Sequence, residues 1–216
     1  VVRVNPLDKG GIEDIALMNT VKPDAIRVAK ISTVQEAKQA VELINNDIEI
    51  HFSIETAEAF HNLAALRCDK RITTYYLGIL DLLADLHLSQ SIISISNPTF
   101  LTILSQFLLQ CKITAIHPVG FTYQEYKNLL TYEAYCSLQK SLGYSSVSCI
   151  SPKQVLVANR IFSSTTKECL KAKEIVRLFE TSKIEGVTGF SHPEYGFIDE
   201  PIYKGALVTL ERCQED

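Results

Sequence analysis

The chain has 216 residues, of which 46% are hydrophobic, and its formal net charge at pH 7 is −4. This length suits one α/β domain with a substantial core. The acidic balance excludes the basic surface by which proteins bind nucleic acid. The longest apolar stretches are interrupted by polar residues well short of the roughly 20 residues that a bilayer requires, so no membrane span is predicted.

Short β-branched runs alternate with longer segments of helical period, a pattern typical of βαβ units and a parallel sheet. The predicted strands cover seven segments: 1–5, 25–31, 48–54, 73–79, 91–95, 112–116 and 147–151. The helices predicted between them cover 11–20, 34–45, 57–67, 98–111, 123–142 and 153–162. The chain begins within a predicted strand and without Met, so we expect a fragment or the ordered part of a longer protein.

Four charged residues follow or end the first four predicted strands: Arg3, Lys30, Glu55 and Asp81, at intervals of 27, 25 and 26 residues. One βα unit with two short loops fills about this length. The residues are therefore predicted to meet at the carboxyl ends of parallel strands, where (β/α) barrels build their active sites. The alternative is that each charge only marks where a buried strand reaches solvent.

The six cysteines show no CxxC pair and no zinc-like spacing. Most lie in apolar helical or strand contexts, where a free thiol behaves as a small hydrophobic side chain. We therefore expect free thiols in a reducing cytoplasm.

Six segments spread over nearly the whole chain carry a resemblance. They are VRVNPLD (2–8), the strand that leads to Lys30, SIETAEAF (53–60), LGILDLLADL (77–86), SCISPKQVLVANRIFS (148–163) and GFIDEPIYKGA (196–206). In this order they resemble the citrate lyase β-subunit-like branch of the HpcH/HpaI aldolase family. The resemblance implies a TIM (β/α)8-type barrel that lacks its first strands in this chain. It also implies Mg²⁺-dependent cleavage or formation of a carbon–carbon bond in an acyl-CoA thioester.

The resemblance further implies roles for individual residues. Glu55 and Asp81 match the metal ligands of the family, and Arg3 matches its substrate arginine, whose planar guanidinium suits a carboxylate. Thr56, beside the metal carboxylate, is predicted to bind substrate. Lys30 is predicted either to act in catalysis or to pair with Glu55.

The last 50 or so residues differ from the rest in pattern. A charged helix from Thr166 is followed by a glycine-bearing turn region and a final helix from about Glu200. We expect a barrel domain at 1–165 and a helical lid or oligomerisation segment at 166–216. The alternative is a helix that closes the bottom of its own barrel. Asp199 matches a catalytic aspartate of the family, although an aspartate before a helix is also an ordinary N-cap.

Several positions depart from the pattern of the family. Leu80 replaces an acidic residue, Val147 a lysine, His117 an aspartate and Ser151 a histidine, and the segment 91–110 carries no positive charge where the family holds CoA phosphates. These departures affect the binding of CoA more than the binding of metal. They suit a divergent lyase with another substrate, or a member that has lost catalysis.

The sequence thus predicts an Mg²⁺-dependent lyase of the citrate lyase β-like type that acts on a 3-hydroxyacyl-CoA resembling citryl-CoA or malyl-CoA. One alternative is an aldolase that acts on a free 2-keto acid without CoA, and the other is a non-catalytic barrel subunit. The expected assembly is a homo-oligomer, a trimer or hexamer, with neither nucleic acid nor membrane as partner.

Overall fold

A computed structural model describes the backbone of residues 1–215 and the side chains of residues 1–213. The chain forms two compact units, Val1–Ile161 and Phe162–Asp216. The predicted division between residues 165 and 166 lies close to this boundary, and the roles assigned to the two segments stay predictions. Within the described residues, no helix is both long enough and apolar enough to cross a membrane.

In the first unit, five strands form one parallel sheet in sequential order. They are β1 (Val2–Val4), β2 (Ala25–Val28), β3 (Glu49–Ile54), β4 (Ile72–Leu77) and β5 (His117–Val119). Beyond β5, an isolated parallel bridge joins Gly120 to Val147, within the region predicted as the last strand. The α/β class and the parallel sheet are as predicted, whereas closure of an eight-stranded barrel stays a prediction.

Eight helices accompany this sheet. They are α1 (Gly11–Val21), α2 (Val34–Leu43), α3 (Ala57–His61), α4 (Leu63–Leu66), α5 (Ile79–Asp85), α6 (Pro98–Ile113), α7 (Leu129–Leu142) and α8 (Pro152–Phe162). Contacts run from α1 to α2, from α2 to α4, from α4 to α6 and from α6 to α7. Right-handed crossovers that always advance in the same direction place their helices on one face of the sheet. This is the arrangement of a barrel wall.

The strand register separates an apolar face from a polar face. One aligned row is apolar and buried, and it consists of Val4, Val28, Phe52 and Tyr75. The next row, on the opposite face, consists of Arg3, Arg27, His51, Thr74 and His117. Because side chains alternate along a strand, the charged row faces away from the helix layer, where a barrel would have its interior.

Three predicted strands are wrong, and one of them, 147–151, keeps only the isolated bridge at Val147. Residues 91–95 follow Ser89, whose side chain accepts a hydrogen bond from the Ser91 N–H, and a short 3₁₀ helix forms there. Serine side chains that bind nearby backbone in this way compete with strand pairing. Residues 112–116 were assigned to a strand on their β-branched side chains, but α6 extends through Ile113 and β5 begins at His117.

The second unit pairs two helices with a small hairpin. Helix α9 (Thr166–Ile184) precedes an antiparallel pair, β6 (Gly189–His192) and β7 (Gly196–Asp199), and α10 (Glu200–Glu215) follows. Its core consists of Ala172, Ile175, Phe179, Ile198 and Ala206. Part of the apolar surface of α9 therefore packs within its own unit.

The prediction that the cysteines are free thiols is wrong for Cys169 and Cys213, which form a disulfide between α9 and α10. Their Cα atoms lie 6.0 Å apart although 44 residues separate them in sequence. Sequence spacing could not reveal this pair, because it depends on how the two helices pack. The other four cysteines are free.

This difference predicts a thiol count. Titration of the denatured protein with a thiol reagent, after purification without reductant, is expected to give four reactive thiols, and prior reduction should raise the count to six. Cys213→Ser should give five without reductant, because Cys169 loses its partner. Six reactive thiols in the unreduced protein would contradict the disulfide.

Candidate functional site

A cavity of about 320 Å³ lies at the carboxyl ends of the strands in the first unit. Four charged side chains line it, namely Arg3, Arg27, Glu55 and Asp81. The rest of the lining is neutral and consists of Leu77, Gly78, Ile79, Leu80, Thr122, Gln124 and Ile150. Three of the four predicted strand-end charges therefore meet in one cavity, and a second arginine joins them.

Glu55 directly follows β3 and is only 9% exposed. Among the described residues its carboxylate has no hydrogen-bond or salt-bridge partner, although Arg27 acts on it electrostatically. Gly78, after β4, leaves the space that the side chain of Glu55 occupies, since a Cβ there would lie 2.4 Å from the Glu55 Cγ. The oxygens of Glu55 are not among the buried side-chain atoms that lack a partner, so the carboxylate faces the cavity, where a cation can bind it.

Asp81 reaches the same cavity from a helix rather than from a strand end. Strand β4 ends at Leu77, and Asp81 is the third residue of α5, so its prediction as a strand-end residue is wrong by four positions. A carboxylate in the first turn is favoured by the partial positive charge of the helix N-terminus. Asp85, one turn later, accepts a hydrogen bond of 2.8 Å from the Ala57 N–H and so ties α5 to the loop that carries Glu55.

The two carboxylates suit a magnesium ion. Mg²⁺ is usually held by one or two carboxylates, and water and substrate oxygens complete its octahedron. Glu55 supplies a buried carboxylate that lacks a donor, and Asp81 supplies an exposed one. The described part of the chain brings together no group of three His, Cys, Asp or Glu side chains that could hold a metal.

Arg27, which the sequence analysis did not select, is paired in register with Arg3 on the neighbouring strand. Its Nε donates a hydrogen bond of 2.8 Å to the Ser53 Oγ, and its guanidinium lies 4.0 Å from the centre of the Tyr76 ring. Burial lowers the pKa of Arg27, and so does the charge of Arg3, whereas Tyr76 and Glu55 oppose this shift. Two adjacent guanidinium groups repel each other unless an anion binds between them.

Two of the predicted site residues, Lys30 and Thr56, do not line this cavity. Lys30 lies two residues beyond β2, in a turn where its φ is +56°, and it is exposed. The Lys30–Glu55 ion pair is therefore absent among the described residues, because Lys30 has left the strand. The Thr56 hydroxyl instead caps α3, accepting from the Ala59 N–H and donating to the Ser32 Oγ. Asp199, in the second unit, accepts from the Ile202 N–H in the first turn of α10, as an N-cap does.

His117, which stands where the family has aspartate, lies on the polar face of the sheet. The Nε2 of His117 and the Oγ of Ser146 form a hydrogen bond of 2.8 Å. Nearby, His51 is 6% exposed, and burial lowers its pKa while Glu49 opposes the shift. The Nδ1 of His51 is buried and has no hydrogen-bond partner among the described residues, and burial disfavours the charged imidazolium.

Comparisons with known proteins agree with this geometry. Residues 1–152 match the model of the HpcH/HpaI aldolase/citrate lyase family. The chain is 27% identical over 190 residues to a (3S)-malyl-CoA thioesterase of Cereibacter sphaeroides, which covers 86% of this chain and 64% of that protein. It is 25% identical over 215 residues to a citrate lyase subunit beta-like protein of Deinococcus radiodurans, which covers 97% of this chain and 73% of that protein.

The fold is also shared with a solved structure. The crystal structure of the protein CitE from Mycobacterium tuberculosis, in complex with magnesium, acetoacetate and coenzyme A, matches with a TM-score of 0.76. The two are 18% identical, and the match covers 99% of this chain and 77% of the other. At this identity the match establishes the fold. The chain spans 64% of the length of the thioesterase.

Proposed function

Since the chain belongs to the HpcH/HpaI aldolase/citrate lyase family, we propose that it is an Mg²⁺-dependent lyase that cleaves or forms a carbon–carbon bond in a 3-hydroxyacyl-CoA resembling citryl-CoA or malyl-CoA. The observation that carries this proposal is the convergence of Glu55 and Asp81 with Arg3 and Arg27 in one cavity. Two carboxylates that can hold a hard cation lie beside two guanidinium groups that can hold an anionic keto acid.

Each group has a task in such a reaction. Cleavage removes the proton of the 3-hydroxyl group, breaks the bond between carbons 2 and 3 and leaves a carbonyl product and an enolate. Arg3 and Arg27 would bind the carboxylate next to the new carbonyl through paired N–H donors. Glu55 and Asp81 would hold the ion, which when bound supplies positive charge to the oxygens that become negative. For proton transfer we propose Asp199, on the resemblance alone, whereas Lys30, which is exposed beyond β2 and does not line the cavity, is assigned no step.

Binding of pyruvate, a simple 2-keto acid, tests this proposal. In calorimetry we expect pyruvate to bind with Mg²⁺ present and to bind at least tenfold more weakly without it, since both the ion and the arginines hold the keto acid (about 1.4 kcal/mol). Arg3→Ala should abolish the measurable binding. Arg160→Ala, which removes an exposed arginine on α8 that pairs with Glu133, is the matched control and should bind normally. A wild-type protein that binds neither ion nor pyruvate would support the non-catalytic alternative.

A second candidate function is cleavage of a free 2-keto acid without CoA. The specific observation in its favour is the segment 91–110, which contains most of α6 and has no lysine or arginine. The phosphates of CoA need cationic side chains or helix N-termini. The proposal of a CoA substrate therefore depends on the relatives more than on this segment.

The affinity for CoA distinguishes the two candidates. Because the segment 91–110 is uncharged and Val147 stands where the family has lysine, we expect free CoA and acetyl-CoA to bind only weakly, with Kd above about 100 μM. Calorimetric titration in the presence of Mg²⁺ measures this directly. A Kd in the low micromolar range, near −8 kcal/mol, would contradict the prediction and place the phosphates elsewhere on the chain.

The homo-oligomer and the cytoplasmic location stay predictions. In the second unit, part of the apolar surface of α9 packs into a local core, while Leu170 of α9 and Phe197 of β7 remain 60% and 59% exposed. We propose that these exposed apolar side chains contribute to contacts between copies of the chain, where burial would remove them from water.

A further inference from the structure

A second cavity, of about 300 Å³, adjoins the metal cavity. Four residues line both cavities, namely Ile79, Leu80, Thr122 and Gln124. The remaining lining of the second cavity is Gln90, Ile93, Phe121, Tyr123, Glu125 and Tyr135. The two cavities are therefore neighbours, and a ligand bound at the arginines and carboxylates lies next to the second one.

Two buried glutamines hold the aromatic wall of this second cavity in place. Gln139 is 1% exposed, and its Oε1 accepts a hydrogen bond of 3.0 Å from the Phe121 N–H. Gln154 is fully buried, and its Nε2 donates a hydrogen bond of 2.9 Å to the Tyr123 carbonyl. Buried polar side chains that are fully engaged fix the backbone that they bind. The cavity is thus preorganised.

The wall is aromatic. The ring centre of Tyr135 lies 5.1 Å from that of Tyr123 and 5.4 Å from that of Phe121, the latter at 83°. The hydroxyl of Tyr135 donates to the Ile93 carbonyl, and that of Tyr123 donates to Glu125. Because Tyr135 is only 7% exposed and packs against both neighbouring rings, the half-buried ring of Tyr123 is the aromatic surface that a ligand can reach. Aromatic rings bind such surfaces in offset or edge-to-face geometry.

The charge of the wall selects against anions. Its lining contains no lysine or arginine, and Glu125 is its single charged residue. A phosphate or second carboxylate would meet a like charge here and no donor of opposite charge, whereas a neutral ring would not. Size agrees as well, since an apolar cavity of about 150 Å³ is known to accept benzene.

We propose that this cavity is a subsite for an aromatic ring carried by the substrate, next to the keto acid that binds in the metal cavity. The inference rests on the proposed function, because it needs the keto acid to be anchored at Arg3 and Arg27. It makes the preferred substrate of this chain an aromatic 2-keto acid or its aldol adduct, and it makes Tyr123 a residue that determines specificity.

Calorimetry with pyruvate and phenylpyruvate, both with Mg²⁺, tests the subsite. Phenylpyruvate is pyruvate with a phenyl ring, and it should bind roughly tenfold or more tightly, as burial of a phenyl group predicts. Tyr123→Ala should remove most of this preference and Tyr123→Phe should keep it. Tyr126→Ala, on the same loop but outside the lining, is the matched control and should behave as wild type. Equal affinities for the two acids in wild type would overturn the inference.

Binding of benzyl alcohol, a neutral ring without a keto acid, separates this inference from the proposed function. If neither keto acid binds, the proposed function fails, and ligand-observed NMR with benzyl alcohol then decides whether the cavity takes a ring. Binding that is lost in Tyr123→Ala and kept in Tyr126→Ala supports the subsite. No binding to wild type overturns it. Circular dichroism of each variant guards against loss of fold, with Tyr123→Leu as the substitute if Tyr123→Ala is unstable.

Discussion

Asp81→Ala is expected to lower metal-dependent activity by more than about 100-fold, since even groups that only support metal ligands typically contribute 10- to 100-fold. The fold should survive, because Asp81 is exposed and has no hydrogen bond or ion pair among the described residues. Substitutions of this kind usually change the free energy of unfolding by about 0.5 kcal/mol or less. Thermal denaturation without Mg²⁺ measures the change in stability. The rise in Tm on addition of Mg²⁺ reports binding of the ion, because an ion that binds only the folded protein raises Tm, and the loss of activity is measured by assay of substrate cleavage with Mg²⁺.

The neighbouring Asp85 supplies the matched control. Asp85→Asn keeps an acceptor for the Ala57 N–H and removes one charge from the same helix, so its Tm should still rise with Mg²⁺. Glu55→Gln removes the buried charge itself, and it should abolish the rise in Tm while leaving the metal-free protein as stable as wild type or more stable. An Asp81→Ala protein whose Tm rises with Mg²⁺ as much as wild type would exclude Asp81 as a ligand.

The part of the site that the sequence predicted depends on local signals. Glu55 follows an apolar run that forms β3, and a strand end is visible wherever such a run meets a charge and a helix N-cap. Arg3 and Asp81 were likewise predicted from local pattern and from the resemblance, and both line the cavity although neither ends a strand. Parallel pairing of consecutive strands then brings their ends together without further information.

What the sequence did not reveal depends on packing between distant segments. Arg27 is part of the site because it is in register with Arg3 and because its Nε donates a hydrogen bond to Ser53 on the next strand. Taken alone, an arginine in an apolar run gives no such signal. The prediction misplaced Lys30 because β2 already ends at Val28, and Lys30, two positions later, has a left-handed backbone conformation. Strand boundaries are uncertain by more than that when read from sequence. The Cys169–Cys213 pair follows from helix packing in the same way.

Gly78→Ala is expected to disable the metal site through one methyl group. The backbone at Gly78 has φ −87°, which alanine also adopts, so no conformational strain arises. The new Cβ would instead lie 2.4 Å from the Glu55 Cγ and 3.3 Å from the Ile54 carbonyl oxygen, and the side chain of Glu55 must move. We expect Mg²⁺ affinity to fall at least tenfold and the free energy of unfolding to fall by about 1–3 kcal/mol, as in other overpacked cores. Calorimetry and urea denaturation measure these two changes.

Two further variants test whether the clash with Glu55 causes these losses of Mg²⁺ affinity and stability. Gly120→Ala places a Cβ 2.0 Å from the Oε1 of buried Gln139, so it should cost similar stability but leave Mg²⁺ affinity unchanged, because neither residue lines the metal cavity. In a Glu55→Ala background the atom that Gly78→Ala strikes is gone, and the second substitution should then cost less than about 0.5 kcal/mol. A cost that stays at 1 kcal/mol or more in this background would show that Gly78 serves the backbone of Ile54 rather than the carboxylate. The absence of a side chain at Gly78 would then say nothing about how Glu55 is placed to hold a cation.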